Sequence, residues 1–146
     1  MDDVYSSKPW LKSYDKHVPP TITDYPQISC AEAMREAFDG VPDRMALNYM
    51  GTSISFREFD TYSNQFAHFL IHQGCRPGDV VGVHLLNVPA SFFAAIGIQK
   101  AGCVFTGISI LLTAEELEYQ LNDSGAKILL TFDFNFETVK KAVVKT

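Results

Sequence analysis

From residue 30 onward, apolar and polar positions follow each other in regular rhythms, and each rhythm predicts an element. Cys30 to Phe38 reads as a short helix, opened by Ser29 and Glu32 in capping-box spacing and followed by Gly40. Ala46 to Tyr49 and Thr52 to Ser55 read as two short strands around a Met50-Gly51 turn, a hairpin signature. Ser55-Phe56-Arg57-Glu58 is a second capping box. It opens a helix on which Phe59, Tyr62, Phe66 and Phe69/Leu70 recur at helical spacing, until Gly74 stops it and Pro77-Gly78-Asp79 turns the chain.

Val80 to Leu86 is almost continuously apolar, the pattern of a strand covered on both faces. Pro89 stands at the start of a helix, Ala90 to Lys100, that is apolar nearly all round and therefore predicted to be buried. Ala101-Gly102 ends it, and Cys103 to Ile108 is the next strand. Thr113 to Glu116 is a third capping box, leading a helix through Leu117, Leu121 and Asn122 to a stop at Asp123-Ser124-Gly125. Lys127 to Phe132 is a further strand, and a last helix is expected over Phe136 to Lys145. Strand, helix, strand, helix, strand with short turns requires parallel pairing through right-handed crossovers. The fold class is α/β: a layered parallel sheet with helices on both faces.

Residues 1–29 differ from this. Pro9, Pro19, Pro20 and Pro26 alternate with Tyr5, Trp10, Tyr14 and Tyr25. Prolines at that density fix φ and remove donors, which argues against a regular helix or central strand. The aromatics predict an extended arm laid on a surface. The chain therefore divides into an arm over 1–29 and an α/β subdomain over 30–146.

Composition narrows the function classes. The chain has 146 residues, one ordinary domain. Its 47% hydrophobic content is enough for a true core and excludes a disordered chain. A formal charge of −5 disfavours nucleic acid as a partner, and Lys140, Lys141 and Lys145 read as one solvated helix face. Cys30, Cys75 and Cys103 are odd in number and never in CxxC spacing, so they indicate a reducing compartment rather than a disulfide frame or zinc site. The acidic Met1-Asp2-Asp3 start does not resemble a signal peptide, and no apolar run is long enough for a transmembrane segment. The expected setting is cytoplasmic.

The candidate chemistry is sparse. No GxxxxGK[ST] or GxGxxG occurs. His68 and His72 share a helix face at metal-ligand spacing, but no third ligand follows by spacing and two surface histidines are the simpler reading. His84, inside an apolar strand, reads as a satisfied core group. Glu115 and Glu116 complement the helix dipole, and Cys103 should behave as a small hydrophobe with a raised pKa. Asn87 and Ser109 fall at the carboxyl ends of strands, where open α/β sheets bind ligands, although turn chemistry explains both residues equally.

Several segments, in order, resemble a known family. They are Lys8-Pro9-Trp10-Leu11-Lys12-Ser13-Tyr14 with Val18-Pro19, and Ile54-Ser55-Phe56-Arg57-Glu58-Phe59, which is similar to the pattern T/S-[YF]-x-E-L. Gly78 to Val83 with Leu86-Asn87, and Ile98 to Gly102, continue the match. Leu112 to Lys127 is the most specific segment. Together they resemble the N-terminal portion of an AMP-forming acyl-CoA synthetase of the adenylate-forming superfamily, most of all the long-chain fatty-acid–CoA ligases. The physical demands that explain these matches are scaffold demands: Gly78-Asp79 as a tight turn, Ala101-Gly102 as a close approach, Thr113 with Glu116 as a cap.

The resemblance implies a two-step reaction for the full-length enzyme. ATP activates a fatty acid as its acyl-adenylate, releasing pyrophosphate, and CoA then displaces AMP to form the thioester, with Mg2+ shielding the phosphates. In the family the phosphate loop, the adenine motifs and the C-terminal domain with its catalytic lysine lie downstream of the part that ends here at Thr146. No catalytic, cofactor-binding or metal residue is therefore carried over onto this chain, and the 146-residue fragment alone is expected to be inactive. Its implied partner is the remainder of the ligase chain; sheet edges and apolar faces left without that neighbour favour association, so a homo-oligomer is expected at high concentration. For the full enzyme the implied partners are a fatty acid and a peripheral encounter with the membrane. The alternative is a stand-alone binding or assembly module on the same scaffold. Where relatives commonly carry Asn-Pro after the strand, this chain has Ser109-Ile110, which removes the usual rigid turn. The closing Lys-Ala-Val-Val-Lys-Thr has no helix stop, which favours a cut over a natural end.

Overall fold

The computed structural model describes residues 4–22 and 25–143. The arm opens with one helical turn, α1 (Val4–Ser7), and a 3-10 turn over Pro9–Ser13. Proline density argues against regular helix here, and single turns are what it permits. Pro9 occupies the first position of its turn, where a fixed φ fits and the missing N–H is not needed. Tyr5 and Tyr25 stay largely exposed, at 77% and 68%, so these rings are not buried against the domain.

The regular part follows as α2 (Cys30–Gly40), β1 (Met45–Tyr49), β2 (Thr52–Ser55), α3 (Phe56–His72), β3 (Val80–His84), α4 (Pro89–Lys100), β4 (Val104–Gly107), α5 (Ala114–Ser124), β5 (Ala126–Thr131) and α6 (Phe136–Val143). Gly40 is the last residue of α2 rather than a stop beyond it. The strand expected to reach Leu86 ends at His84. Of the last helix, the expected residues 144 and 145 lie outside the described residues.

Local chemistry accounts for most boundaries. Ser29, Ser55 and Thr113 each accept from the backbone N–H three residues on, and Glu32, Glu58 and Glu116 each reach back to the cap's own N–H. These bonds hold all three carboxyls below the usual carboxylate range. The β1–β2 turn has φ of 49° at Met50 and 84° at Gly51, the two positive values that a tight hairpin requires.

β1 and β2 pair antiparallel; β3, β4 and β5 form a parallel sheet in the order β4-β3-β5. The central strand is covered on both sides. Val81 and Val83 pack with Ala67 and Leu70 of α3 and Ala94 and Ile98 of α4. On the opposite face Ile108 and Leu129 approach Gly82, beneath Leu117 and Leu121 of α5 and Val139 and Ala142 of α6. Leu70, Ile98 and Leu117 are fully buried, each contributing about 2 kcal/mol relative to exposure. A third cluster joins Phe38, Phe59 and Ile96 to Leu47 and Ile54 of the hairpin.

Two features lock α3 onto α4. A Cβ at Gly97 would lie 2.6 Å from the Ser63 carbonyl oxygen, so only glycine permits this approach. One turn on, Lys100 Nζ donates to Asp60 Oδ1 at 2.6 Å, Ser63 Oγ at 2.8 Å and Asn64 Oδ1 at 2.8 Å. That set satisfies all three ammonium protons of a side chain that is only 12% exposed.

Candidate functional site

The chain runs from β3 through α4 to β4 on one side, then crosses through α5 to β5 on the other. The connections leaving β3 and β4 therefore diverge to opposite faces of the sheet. That divergence opens a crevice at the carboxyl ends of the two strands, the place where open α/β sheets bind ligands. A cleft of about 330 Å³ lies there, lined among others by Leu85, Asn87, Ser91, Phe92, Phe105 and Gly107.

Each wall has a local cause. Pro89 starts α4 two residues after Asn87, and Ser91 turns its hydroxyl back to donate to the Val88 carbonyl at 2.7 Å. Phe92, in the first turn, and Phe105, on the edge strand β4, are each more than 40% exposed. Gly107 has no side chain to fill the gap between them. The walls are mainly apolar, and Asn87 and Ser91 supply polar side chains. Such a lining holds an apolar body and orients it with one or two hydrogen bonds. Of the positions expected from sequence, Asn87 lines this cleft. Ser109 instead accepts the Leu111 N–H at 3.3 Å, a turn role. Leu85, Phe92, Phe105 and Gly107 also line the cleft and carry no local sequence signal of a site. Their signal is topological, because they meet only once the strand order is known.

His84 ends the central strand with no exposed surface, its Nδ1 2.8 Å from Thr131 Oγ1 on β5. Its Nε2 makes no well-formed hydrogen bond among the described residues. The ring is half satisfied, not satisfied as its place in an apolar strand suggests. Burial pushes its pKa below the usual histidine value, and the Ser109 backbone, which favours the protonated ring, offsets this only in part.

The other candidates lie apart from the cleft. His68 and His72 are exposed on α3, and no group of three or more His, Cys, Asp or Glu gathers as metal ligands among the described residues. Glu116 is engaged in its cap, with Glu115 exposed beside it. Cys103 is buried and its thiol pKa is pushed up, first by burial and then by Cys75. Lys140 and Lys141 are exposed on the last turn of α6. No helix among the described residues is long and apolar enough to cross a membrane.

Comparison with known proteins gives this geometry a context. The fold is that of a benzoate CoA ligase from Burkholderia xenovorans, with a TM-score of 0.77 at 21% identity, over 82% of this chain and 24% of that one. A long-chain-fatty-acid–CoA ligase of Salmonella typhimurium is 34% identical over 140 residues, 95% of this chain and 25% of its own length. A linear gramicidin synthase of Brevibacillus parabrevis is 31% identical over 112 residues, 76% of this chain and 1% of that protein. The chain thus spans about a quarter of the ligases it matches, corresponding to their N-terminal part. The family model described as AMP-binding enzyme matches residues 34–146, and the chain belongs to that family.

Proposed function

We propose that this chain is the N-terminal part of an ATP-dependent fatty-acid–CoA ligase, in which its switch-point cleft receives part of the apolar body of the acid. The observation that carries this reading is the cleft's lining, read together with the ligase relatives. Apolar walls with one amide and one hydroxyl suit a hydrocarbon chain near its polar end better than a charged or zwitterionic group.

ATP, Mg2+ and CoA are implied for the whole enzyme. The donor set of this cleft does not fit a magnesium triphosphate: it offers no cation and no carboxylate. These residues therefore carry no phosphoryl step. Their contribution is to bind and orient the acid and keep water from its chain. The adenylation and thioester steps belong, on this reading, to the longer protein.

The test is pyrophosphate exchange. A longer protein carrying residues 1–146 should exchange label with a long-chain fatty acid and not with benzoate or an amino acid. Residues 1–146 alone should form no acyl-adenylate. Exchange supported by an amino acid but by no fatty acid would overturn the substrate assignment, and exchange by the 146-residue chain would overturn the division of labour.

A further inference from the structure

α3 and α4 end in the same way. In each, a glycine follows the last turn with positive φ, 85° at Gly74 and 72° at Gly102, and a cysteine comes next. The Cys75 N–H donates to the Leu70 carbonyl at 3.0 Å, and the Cys103 N–H to the Ile98 carbonyl at 2.9 Å. The glycine N–H groups bond Ile71 and Gln99 in parallel fashion, which completes two Schellman closures. In that motif the residue after the glycine turns inward against the buried face of its own helix. Here both such residues are cysteines, and both enter the cluster built on Leu70 and Ile98.

The two closures also lie side by side. Both helices end at the amino edge of the parallel sheet, and their outgoing turns are bonded to each other. The Gly78 N–H donates to the Gly102 carbonyl and the Val104 N–H to the Asp79 carbonyl, each at 2.9 Å. Cys103 Sγ is 3.6 Å from the carbonyl oxygen of Arg76, the residue next to Cys75. The Cys75 thiol is itself within interaction range of Cys103. Cys103 is buried, Cys75 half-buried, and both are free.

We infer that Cys75 and Cys103 form a peroxide-driven modification site, a reversible disulfide that staples the end of α3 to the end of α4. The co-substrate class is a hydroperoxide. The more accessible Cys75, as thiolate, attacks the peroxide; an S–O bond forms, the O–O bond breaks, and the leaving hydroxide takes a proton to become water. Cys103 sulfur then attacks the Cys75 sulfenic acid. The S–S bond forms, the S–OH bond breaks, and the departing hydroxide takes the Cys103 proton as a second water. Two thiols are oxidised by two electrons, and one peroxide is reduced. Burial of Cys103 reserves it for this partner, since an external oxidant does not reach it, whereas the neighbouring thiol already does.

The test uses protein carrying residues 1–146 with Cys30→Ser, which removes the exposed thiol. It is treated with hydrogen peroxide, unfolded and alkylated with iodoacetamide. The intact mass should fall by two hydrogens with no label at either remaining cysteine. A digest should hold one linked peptide pair that dithiothreitol separates. The melting midpoint should rise by several degrees and return on reduction. Unsubstituted protein mapped in parallel should show the same linked pair with Cys30 outside it, which covers the case of a poorly folded variant. Full alkylation of both cysteines after peroxide would overturn the site. So would Cys75 found as a sulfinic acid or in an intermolecular bridge while Cys103 stays reduced.

Discussion

At the amino edge of the parallel sheet, α3 and α4 finish in matching closures and their turns bond each other through Gly78 and Val104. Lys127 adds a 2.6 Å ion pair from β5 to Asp79 in the first of those turns. At the carboxyl edge the loops after the three strands expose Leu86, Leu111 and Phe134, the last two at 86% and 65%. There the Nε2 of the buried His84 has no well-formed hydrogen bond among the described residues, and the cleft stands open. The same three strands thus have one end built from satisfied local contacts and one end with uncovered apolar surface. Large exposed apolar groups gathered at one place mark an interaction or ligand surface. One edge is scaffold, and the other carries the cleft proposed to receive the acid.

The sharpest way to break this contrast is to remove the close approach that sets the scaffold. In Gly97→Val the new Cβ meets the Ser63 carbonyl at 2.6 Å and the Phe66 side chain at 3.1 Å, and backbone cannot yield as a flexible side chain does. Separating α3 from α4 would also pull Lys100 from Asp60, Ser63 and Asn64. The expected loss is about 3 kcal/mol, read as a fall in the denaturation midpoint. A loss under about 1 kcal/mol would mean the two helices can slide, and the closed edge would not be the rigid one.

His84 sharpens the comparison from the other edge. Its folded pKa lies below its value in the unfolded chain, about 6.5, because burial disfavours the charged ring. Below that pH the unfolded chain takes up a proton that the folded one refuses. The stability contribution is therefore full above pH 6.5 and falls as the pH drops toward the folded pKa, by at most about 1.4 kcal/mol per pH unit. Denaturation midpoints between pH 7 and 5 should decline for the unsubstituted chain and flatten in His84→Gln, whose amide can still bond Thr131. The three capping glutamates act in a separate window, since their contribution is lost only below the ordinary glutamate range. An unchanged slope in His84→Gln would place the acid sensitivity elsewhere.

The contrast between edges also explains what the sequence made legible. Ser29–Glu32, Ser55–Glu58 and Thr113–Glu116 act over three residues, and Met50-Gly51 over two, so their structures follow from neighbours alone. The apolar run at Val80 announced a doubly covered strand, because every buried position needs an apolar side chain whatever covers it. The order β4-β3-β5 was not legible: parallel pairing by itself leaves the central strand undecided. The cleft depends on that order and was hidden with it, as was the meeting of Cys75 with Cys103. The repeated Gly-Cys after each helix was a usable signal that became informative once α3 and α4 were known to run together. His84 shows a different limit. Pattern alone places the ring in the core, but its second nitrogen depends on Ser109, in the loop after β4.

The smallest stability effect, and the most direct functional one, should come from the open edge. Gly107 is exposed, has no positive φ, and the nearest atoms to a Cβ there are Phe105 ring carbons at 3.6 Å, ordinary contact. Gly107→Leu therefore strains nothing in the fold and should change stability by less than about 0.5 kcal/mol. Its side chain would occupy the cleft between Phe92 and Phe105. In a longer protein carrying this domain, the KM for a long-chain acid should rise several-fold, while that for ATP stays unchanged. Shorter acids should be affected less, because they leave more of the cleft empty. A matching loss in Gly107→Leu for acids of every length, or a large drop in stability, would show that Gly107 supports the scaffold. A selective loss for long chains would place the acyl body at the edge that the packing leaves open.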